Sequence, residues 1–326
     1  MCHKRYFFVV AAVLFASIGW PLAAVVQSYP TKPVRVIVGF APGGGTDISA
    51  RTISQKLAEA LGQPFVVDNR PGAGGTIGNA LVATAPADGY TLLVTANGPH
   101  AIGPHLYKSV GYDVLKDYAA ISVLTTNPFA LVVHPAVAAG TVKEFIAWAK
   151  ANPKQANFSS AGTGTPSHLS GELFNVMAGV KLTHVPFKGA APGFAALLGG
   201  EVNVMFGEML TVAPHLKGGK LRAIAVTTAE RSTFMPELPT IAESGLSGYD
   251  VSVWYAMFAP ARTPKAIVTR LNVETVRALQ TAEVKDRFAK LGSTASPTTP
   301  AELDAIVKRD YERWGRVIKN ANIKTE

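Results

Sequence analysis

The sequence predicts an α/β protein built from two similar lobes, and three observations carry that prediction. Residues 34–95 alternate β-branched runs with amphipathic stretches in a βαβαβ order, the opening of a doubly wound parallel sheet. A second unit built the same way spans residues 129–228. After a strand-like return at 251–258 the chain reads as helix, which suits helices closing back onto the first unit. With 326 residues, 48% hydrophobic and only 16% charged, the chain is long enough to bury two cores.

The stretch 34–61 organises the first unit. Val34, Val36, Ile37 and Val38 make a short β-branched run of the buried type. Pro42, Gly43, Gly44 and Gly45 break it, and Thr46 or Asp47 is placed to cap a helix. Ile53, Leu57 and Leu61 repeat on one face of that helix until Gly62 and Pro64 stop it. Such a strand, glycine loop and helix start can hold an anion. Glycines admit close approach, unpaired helical N–H groups point outward, and the dipole favours negative charge. On the loop alone, an anion cradle and an ordinary tight βα turn are equally good readings.

A strand at 65–67 follows, then a second glycine-rich connection at 69–76 and a helix ending before Pro86. The third strand, 90–95, exits through Ala96, Asn97 and Gly98. Two short strands are expected at 121–124 and 129–133. The next helix opens with a capping box, Thr141 and Glu144, and closes at Asn152 and Pro153. The opening pattern then recurs: a strand at 157–161, a Gly/Thr/Ser loop at 162–167, and a helix at 168–177 with Leu169, Leu173 and Met177 on one face. Strands at 183–187, 202–206 and 221–226 alternate with helices at 188–198 and 210–217. Beyond the return strand, helices are expected at 266–281 and 282–291. Thr299, Pro300 and Glu302 start the last one, whose Leu303, Ile306, Val307, Tyr311, Trp314 and Ile318 form one apolar stripe, read as core packing.

The N-terminus reads as a secretory leader. His3, Lys4 and Arg5 form a positive start, residues 6–18 an apolar core, and Leu22, Ala23 and Ala24 a small-residue exit. A membrane anchor would need roughly 20 apolar residues, and Gly19 and Pro21 interrupt this run too early. Cleavage is expected near Ala24, with Ser28 as a second position. Cys2 is the only cysteine and lies inside the leader, so the mature chain needs neither disulfides nor thiol chemistry. The net charge of +9 is dispersed, without the dense basic blocks or interleaved aromatics of a nucleic-acid binder.

Reactive motifs are missing. There is no Gly-x-Ser-x-Gly elbow, no His-Glu-x-x-His and no phosphate-binding Gly-x-x-x-x-Gly-Lys loop. The mature histidines His100, His105, His134, His168, His184 and His215 are scattered, and neither a metal nor a cofactor is expected. Two Gly/Thr/Ser loops remain, one per α/β unit, each opening a helix. Facing one another across a cleft they would grip an anionic group of a small molecule, as in a hinge-closing solute receptor. The alternative is an exported α/β hydrolase or transferase using His168 and a nearby serine.

Six motifs in order resemble the tripartite tricarboxylate transporter substrate-binding proteins, the Bug family of periplasmic receptors. They are Tyr29-Pro30-Thr31-Lys32-Pro33, Phe40-Ala41-Pro42-Gly43-Gly44-Gly45-Thr46-Asp47, Asn69-Arg70-Pro71-Gly72-Ala73-Gly74-Gly75, Pro86-Ala87-Asp88-Gly89-Tyr90-Thr91-Leu92-Leu93, Gly162-Thr163-Gly164-Thr165-Pro166-Ser167-His168-Leu169, and His184-Val185-Pro186-Phe187-Lys188-Gly189. The resemblance extends over essentially the whole mature chain. The family commonly has tyrosine where Phe187 stands.

The resemblance implies a type II periplasmic binding protein fold, a Venus flytrap with two α/β lobes around a ligand cleft, joined by two crossing strands. Residues 29–125 with 250–326 would form one lobe and 126–249 the other. It implies a small carboxylate ligand (a di- or tricarboxylate, an amino acid or an aromatic acid), one carboxylate being held, partly through ordered waters, between the two loops. By carry-over Phe40, Gly43, Gly44, Thr46 and Asp47 line the first wall. Gly162, Thr163, Thr165, Ser167 and His168 line the second, with Thr95, Asn97 and Lys188 as further wall residues. Asp47 would cap its helix, orient water or meet a ligand ammonium, and Lys188 can equally be solvated. The implied partner is a two-subunit membrane permease, or a sensor kinase in some relatives, with the receptor itself a periplasmic monomer.

Overall fold

The computed structural model describes residues 29–187, 190–216, 218–232, 234–320 and 323. The leader with Cys2 and both cleavage positions, and Lys188, lie outside the described residues.

The first unit runs β1 (Val34–Val38), α1 (Gly45–Leu61), β2 (Phe65–Asn69), α2 (Thr76–Ala83) and β3 (Thr91–Ala96). β1 lies between β2 and β3 and is parallel to both, so its valines and Ile37 are buried. α1 ends as expected at Gly62, whose left-handed φ of 72° releases the chain. Its start differs from the expected cap. Gly44 occupies the N-cap with no side-chain bond, Thr46 and Asp47 already lie inside the first turn, and the Asp47 carboxylate reaches back to the Gly43 N–H at 2.9 Å. A short helix, α3 (Gly103–Leu106), follows β3 after a turn at 98–102.

The two short strands expected at 121–124 and 129–133 are one, β4 (Tyr118–Val133), 16 residues long. Pro128 lies inside this continuous strand and is tolerated because β4 changes neighbours there. Up to Pro128 it pairs with β9 (Ser252–Pro260), and from Phe129 with β7 (Val204–Glu208) and, over 130–133, β8 (Arg222–Val226). Register shifts near Ala120 and Val123 bend it further. The second unit comprises α4 (Val142–Ala151), β5 (Asn157–Ser160), α5 (Pro166–Ala178), β6 (Thr183–Pro186), α6 (Ala190–Leu198), β7, α7 (Met209–Leu216) and β8. Thr141 caps α4 by accepting from the Glu144 N–H at 3.2 Å. After β9 come α8 (Lys265–Gln280), α9 (Ala282–Lys290), the two-residue β10 (Thr294–Ala295) and α10 (Pro300–Asn320).

The strands form one mixed sheet in the order β2–β1–β3–β9–β4–β7–β5–β6, with β8 and β10 paired to β4 off that path. Two parallel three-stranded ends, β2–β1–β3 and β7–β5–β6, are therefore joined through β9 and β4, which run antiparallel to each other. α1, α8 and α9 bury Ile53, Leu57, Leu271 and Phe288 against the first end. α10 straddles the joint. Leu303 and Val307 pack with Ile37, Trp254 and Phe258, while Trp314 and Ile318 pack with Leu131, Phe158 and Phe206 of the second end. Among the described residues no helix is long and apolar enough to cross a membrane.

Candidate functional site

Both glycine loops open onto one cavity of about 440 Å³, within the range of small-molecule sites. From the β1–α1 connection Phe40, Gly44, Gly45 and Thr46 line it. From the β5–α5 connection Ala161, Thr163, Gly164, Thr165, Pro166 and Ser167 do so. The two ends of the sheet are in contact at its edge. A Cβ on Gly164 would stand 2.5 Å from Leu106 Cδ1, and one on Gly98 would stand 3.3 Å from Pro166 Cδ. Gly164 also has φ +79°, a conformation that L side chains rarely adopt.

The first loop is held from behind by Asp47. Its buried carboxylate accepts from the Gly43 N–H at 2.9 Å, from Asn69 Nδ2 at 2.9 Å and from Arg51 Nε at 3.0 Å. Asn69 Nδ2 also donates to the Phe40 carbonyl at 2.9 Å, tying β2 to the loop. Burial by itself would raise the Asp47 carboxyl, but the bonds from Arg51, Gly43 and Asn69 outweigh it and hold it below the ordinary carboxylate range. Asp47 and Gly43 therefore shape the loop without lining the cavity.

The second loop is held by its own hydroxyls. Thr165 Oγ1 donates to the Gly162 carbonyl at 2.7 Å and lies 3.0 Å from Ser167 Oγ, which accepts from the Ala161 N–H at 3.0 Å. His168 is 4% exposed and sits behind the loop, where its Nδ1 accepts from the Gly164 N–H at 3.0 Å. Its Nε2 is 3.6 Å from Glu172, and its ring stacks on His184 at 3.8 Å. The serine–histidine contact here is Ser160 Oγ to His184 Nε2 at 2.6 Å, with Ser160 fully buried away from the cavity. Burial, then repulsion by His168, lowers His184 to about 4. Among the described residues no serine hydroxyl reaches His168.

Of the remaining sequence-predicted residues, Gly162 is a carbonyl acceptor within the loop and does not line the cavity. Thr95 is buried and donates to Asn79 Oδ1 at 2.9 Å. Asn97 is buried too, and its Nδ2 donates to the Ser252 carbonyl at 2.8 Å, linking the β3 exit to β9. Neighbours of these two, Ala96, Gly98 and Pro99, form the wall instead.

Sequence reasoning missed the rest of the lining. Phe129 comes from β4 at its change of partners, Val253 and Tyr255 from β9, Glu208 from the end of β7, and Tyr107 from beyond α3. Phe40, Ala96, Phe129, Val253 and Tyr255 make a small apolar cluster of their own. Tyr255 packs against the start of α1 so closely that a Cβ on Gly45 would lie 2.5 Å from its hydroxyl, which donates to Glu208 Oε1 at 3.3 Å. The available signal was an acid ending the apolar run Val204-Met205-Phe206.

Backbone donors stand at both helix starts, and the hydroxyl-bearing Thr46, Thr163 and Tyr107 line the cavity beside them. N–H groups in the first turns of α1 and α5 have no helical acceptor, and both turns face the same space.

The family model for the tripartite tricarboxylate transporter family receptor matches residues 49–323. Protein BugT of Bordetella pertussis is 36% identical over 316 residues, covering 97% of each chain. The R. palustris protein Rpa4515 with adipate superposes with a TM-score of 0.83 at 36% identity, over 91% of this chain and 99% of its own. MatC from Rhodopseudomonas palustris with bound malate gives 0.79 at 35% identity, over 89% and 100%. The mixed α/β fold with two crossing strands is thus that of a periplasmic binding protein, and this chain belongs to the tripartite tricarboxylate transporter receptor family, among the Bug proteins.

Proposed function

We propose that this protein is an exported periplasmic receptor that closes on a small carboxylate and delivers it to a tripartite tricarboxylate-type membrane permease. The observation that carries the reading is the convergence of two helix N-termini, from opposite ends of one sheet, on a single cavity. A carboxylate between them accepts from backbone N–H groups of both turns, and charge-assisted bonds of this kind are stronger than neutral ones. Because each end of the sheet contributes one turn, binding holds the two together, as hinge closure requires. Residues 29–125 with 250–326 act as one lobe and 126–249 as the other, bending where β4 and β9 cross. The adipate and malate held by the two R. palustris proteins support a carboxylate ligand. Export rests on the leader, and the permease, or a sensor kinase in its place, on family membership. The receptor acts as a monomer and without a cofactor.

A thermal-shift screen of the mature chain against citrate, malate, adipate, glutamate, nicotinate and terephthalate tests this. A ligand at a hundredfold excess over its dissociation constant stabilises by about 2.7 kcal/mol, a visible shift. The expected result is a hit recovered chemically intact after incubation. Conversion of the ligand by the protein would sink the receptor reading.

A further inference from the structure

The chain carries nine more positive than negative charges, yet none of its described lysines, arginines or histidines lines the cavity. Among the described residues that line the cleft, the charged one is an acid, Glu208. It stands at the end of β7, partly exposed in the cleft, and its hydrogen-bond partner among the described residues is the Tyr255 hydroxyl at 3.3 Å. No described lysine, arginine or histidine forms an ion pair with it. Tyr255 in turn packs on Gly45 at the start of α1, so Glu208 belongs to the same enclosed space as the first loop. Phe40, Pro99, Phe129, Pro166 and Val253 supply an apolar part of the same lining.

A carboxylate in such surroundings is costly unless a cation meets it. Burial pushes the Glu208 carboxyl above its ordinary range, and the Tyr255 bond opposes this only in part. A ligand with a second carboxylate near Glu208 would add a like charge to an acid that has no counter-ion among the described residues. A ligand with an ammonium would supply a counter-ion, and the apolar part of the lining would take the carbon chain between its two ends.

We propose that Glu208 sets the specificity of this cleft by pairing with a ligand ammonium, so that the solute is an amino-carboxylate and not a dicarboxylate. The inference rests on the carboxylate-capture reading above and adds the chemistry of the ligand's other end.

Three six-carbon probes separate the two claims: hexanoate, adipate and 6-aminohexanoate share a chain and a carboxylate and differ only at the far end. Isothermal titration of the wild-type chain is expected to rank 6-aminohexanoate at least about tenfold tighter than either of the others, since a desolvated charge pair is worth that or more. Glu208→Gln keeps the shape and a partner for Tyr255. In that variant the amine preference should disappear and adipate should gain on hexanoate. Adipate binding tightest to the wild type, or an amine preference that survives E208Q, overturns the assignment while leaving carboxylate capture intact. Failure of all three probes at millimolar concentration overturns carboxylate capture itself, and the Glu208 assignment with it. The wild-type ranking decides the matter even if the variant does not fold, and the variant's melting curve reports whether it does.

Discussion

Asp47→Ala tests whether the first loop is held from behind or the aspartate itself touches the ligand. The side chain is 3% exposed and receives the Gly43 N–H, Asn69 Nδ2 and Arg51 Nε at 2.9–3.0 Å. Bonds to a charged group are worth about 1.5–3 kcal/mol each. The Arg51 contribution is discounted toward the surface-pair value of about 0–1 kcal/mol, because Arg51 is 48% exposed. Allowing for partial rewetting of the freed donors, the substitution costs about 2–4 kcal/mol. At roughly 2–4 °C per kcal/mol for a chain near this size, the melting temperature falls by about 4–16 °C. Titration calorimetry with whichever carboxylate binds should show at least a tenfold loss, since the loop loses its anchor at Gly43. The pH dependence has a defined sign. A carboxyl held below the ordinary range adds stability above its unfolded value, about 3.9, and that stability is lost as the pH falls through the folded value. Asp47→Asn should flatten that acid limb. An Asp47→Ala variant that melts with the parent and binds normally would refute the anchoring argument. One that melts normally but no longer binds would place Asp47 on the ligand.

Four further outcomes follow from the same geometry. Gly164→Ala should cost about 1–2 kcal/mol from its positive φ alone and weaken ligand binding as its Cβ meets Leu106, read by melting and titration. Gly45→Ala, with no φ penalty, drives a Cβ to 2.5 Å from the Tyr255 hydroxyl; a loss of about 1–3 kcal/mol and weakened binding are expected in the same two assays. His184, lowered to about 4 by burial and then by His168, should make the protein lose stability as the pH falls from about 6.5 toward 4, because the unfolded chain takes up a proton that the folded one refuses; melts of His184→Gln should be flatter across that window. Trp314→Ala should cost about 3–5 kcal/mol in a denaturant titration, whereas Trp314→Phe should cost far less, because the indole N–H has no hydrogen-bond partner among the described residues.

Where the fold was legible in the sequence, the signals were local. The β-branched run at 34–38, the glycine stop at Gly62 and the Thr141 cap each depend on neighbours within a few residues. The reading failed where a remote partner decides. Residues 121–124 and 129–133 read as two strands, and only the replacement of β9 by β7 and β8 as neighbours explains how one strand runs through Pro128. β10 is two residues long and exists only because β4 offers it an edge. The stripe on α10 was legible as apolar, but not that its first half would pack on one end of the sheet and its second half on the other. A stripe shows that a face is buried, not against what.

The site divides along the same line, with a consequence for how the proposed receptor recognises its solute. Glycines and hydroxyls marked both loops, yet in the second loop Thr165 and Ser167 bond to the loop itself, and His168 accepts from Gly164. Those side chains shape the turn, so that the backbone N–H groups of two helix starts, with Thr46 and Thr163 beside them, line the cavity. Backbone donors are the same whatever the side chain, so the part of the site most visible in the sequence is the part least able to discriminate between solutes. Discrimination then falls to residues scattered over the chain: Tyr107 beyond α3, Phe129 on β4, Glu208 on β7, and Val253 and Tyr255 on β9. Phe129, Glu208, Val253 and Tyr255 sit in strands whose own pattern is satisfied by core packing alone, and only the fold brings them and Tyr107 to one wall. Substitutions there should change which solute is held while leaving the carboxylate grip intact, whereas substitutions in the loops should weaken every solute together.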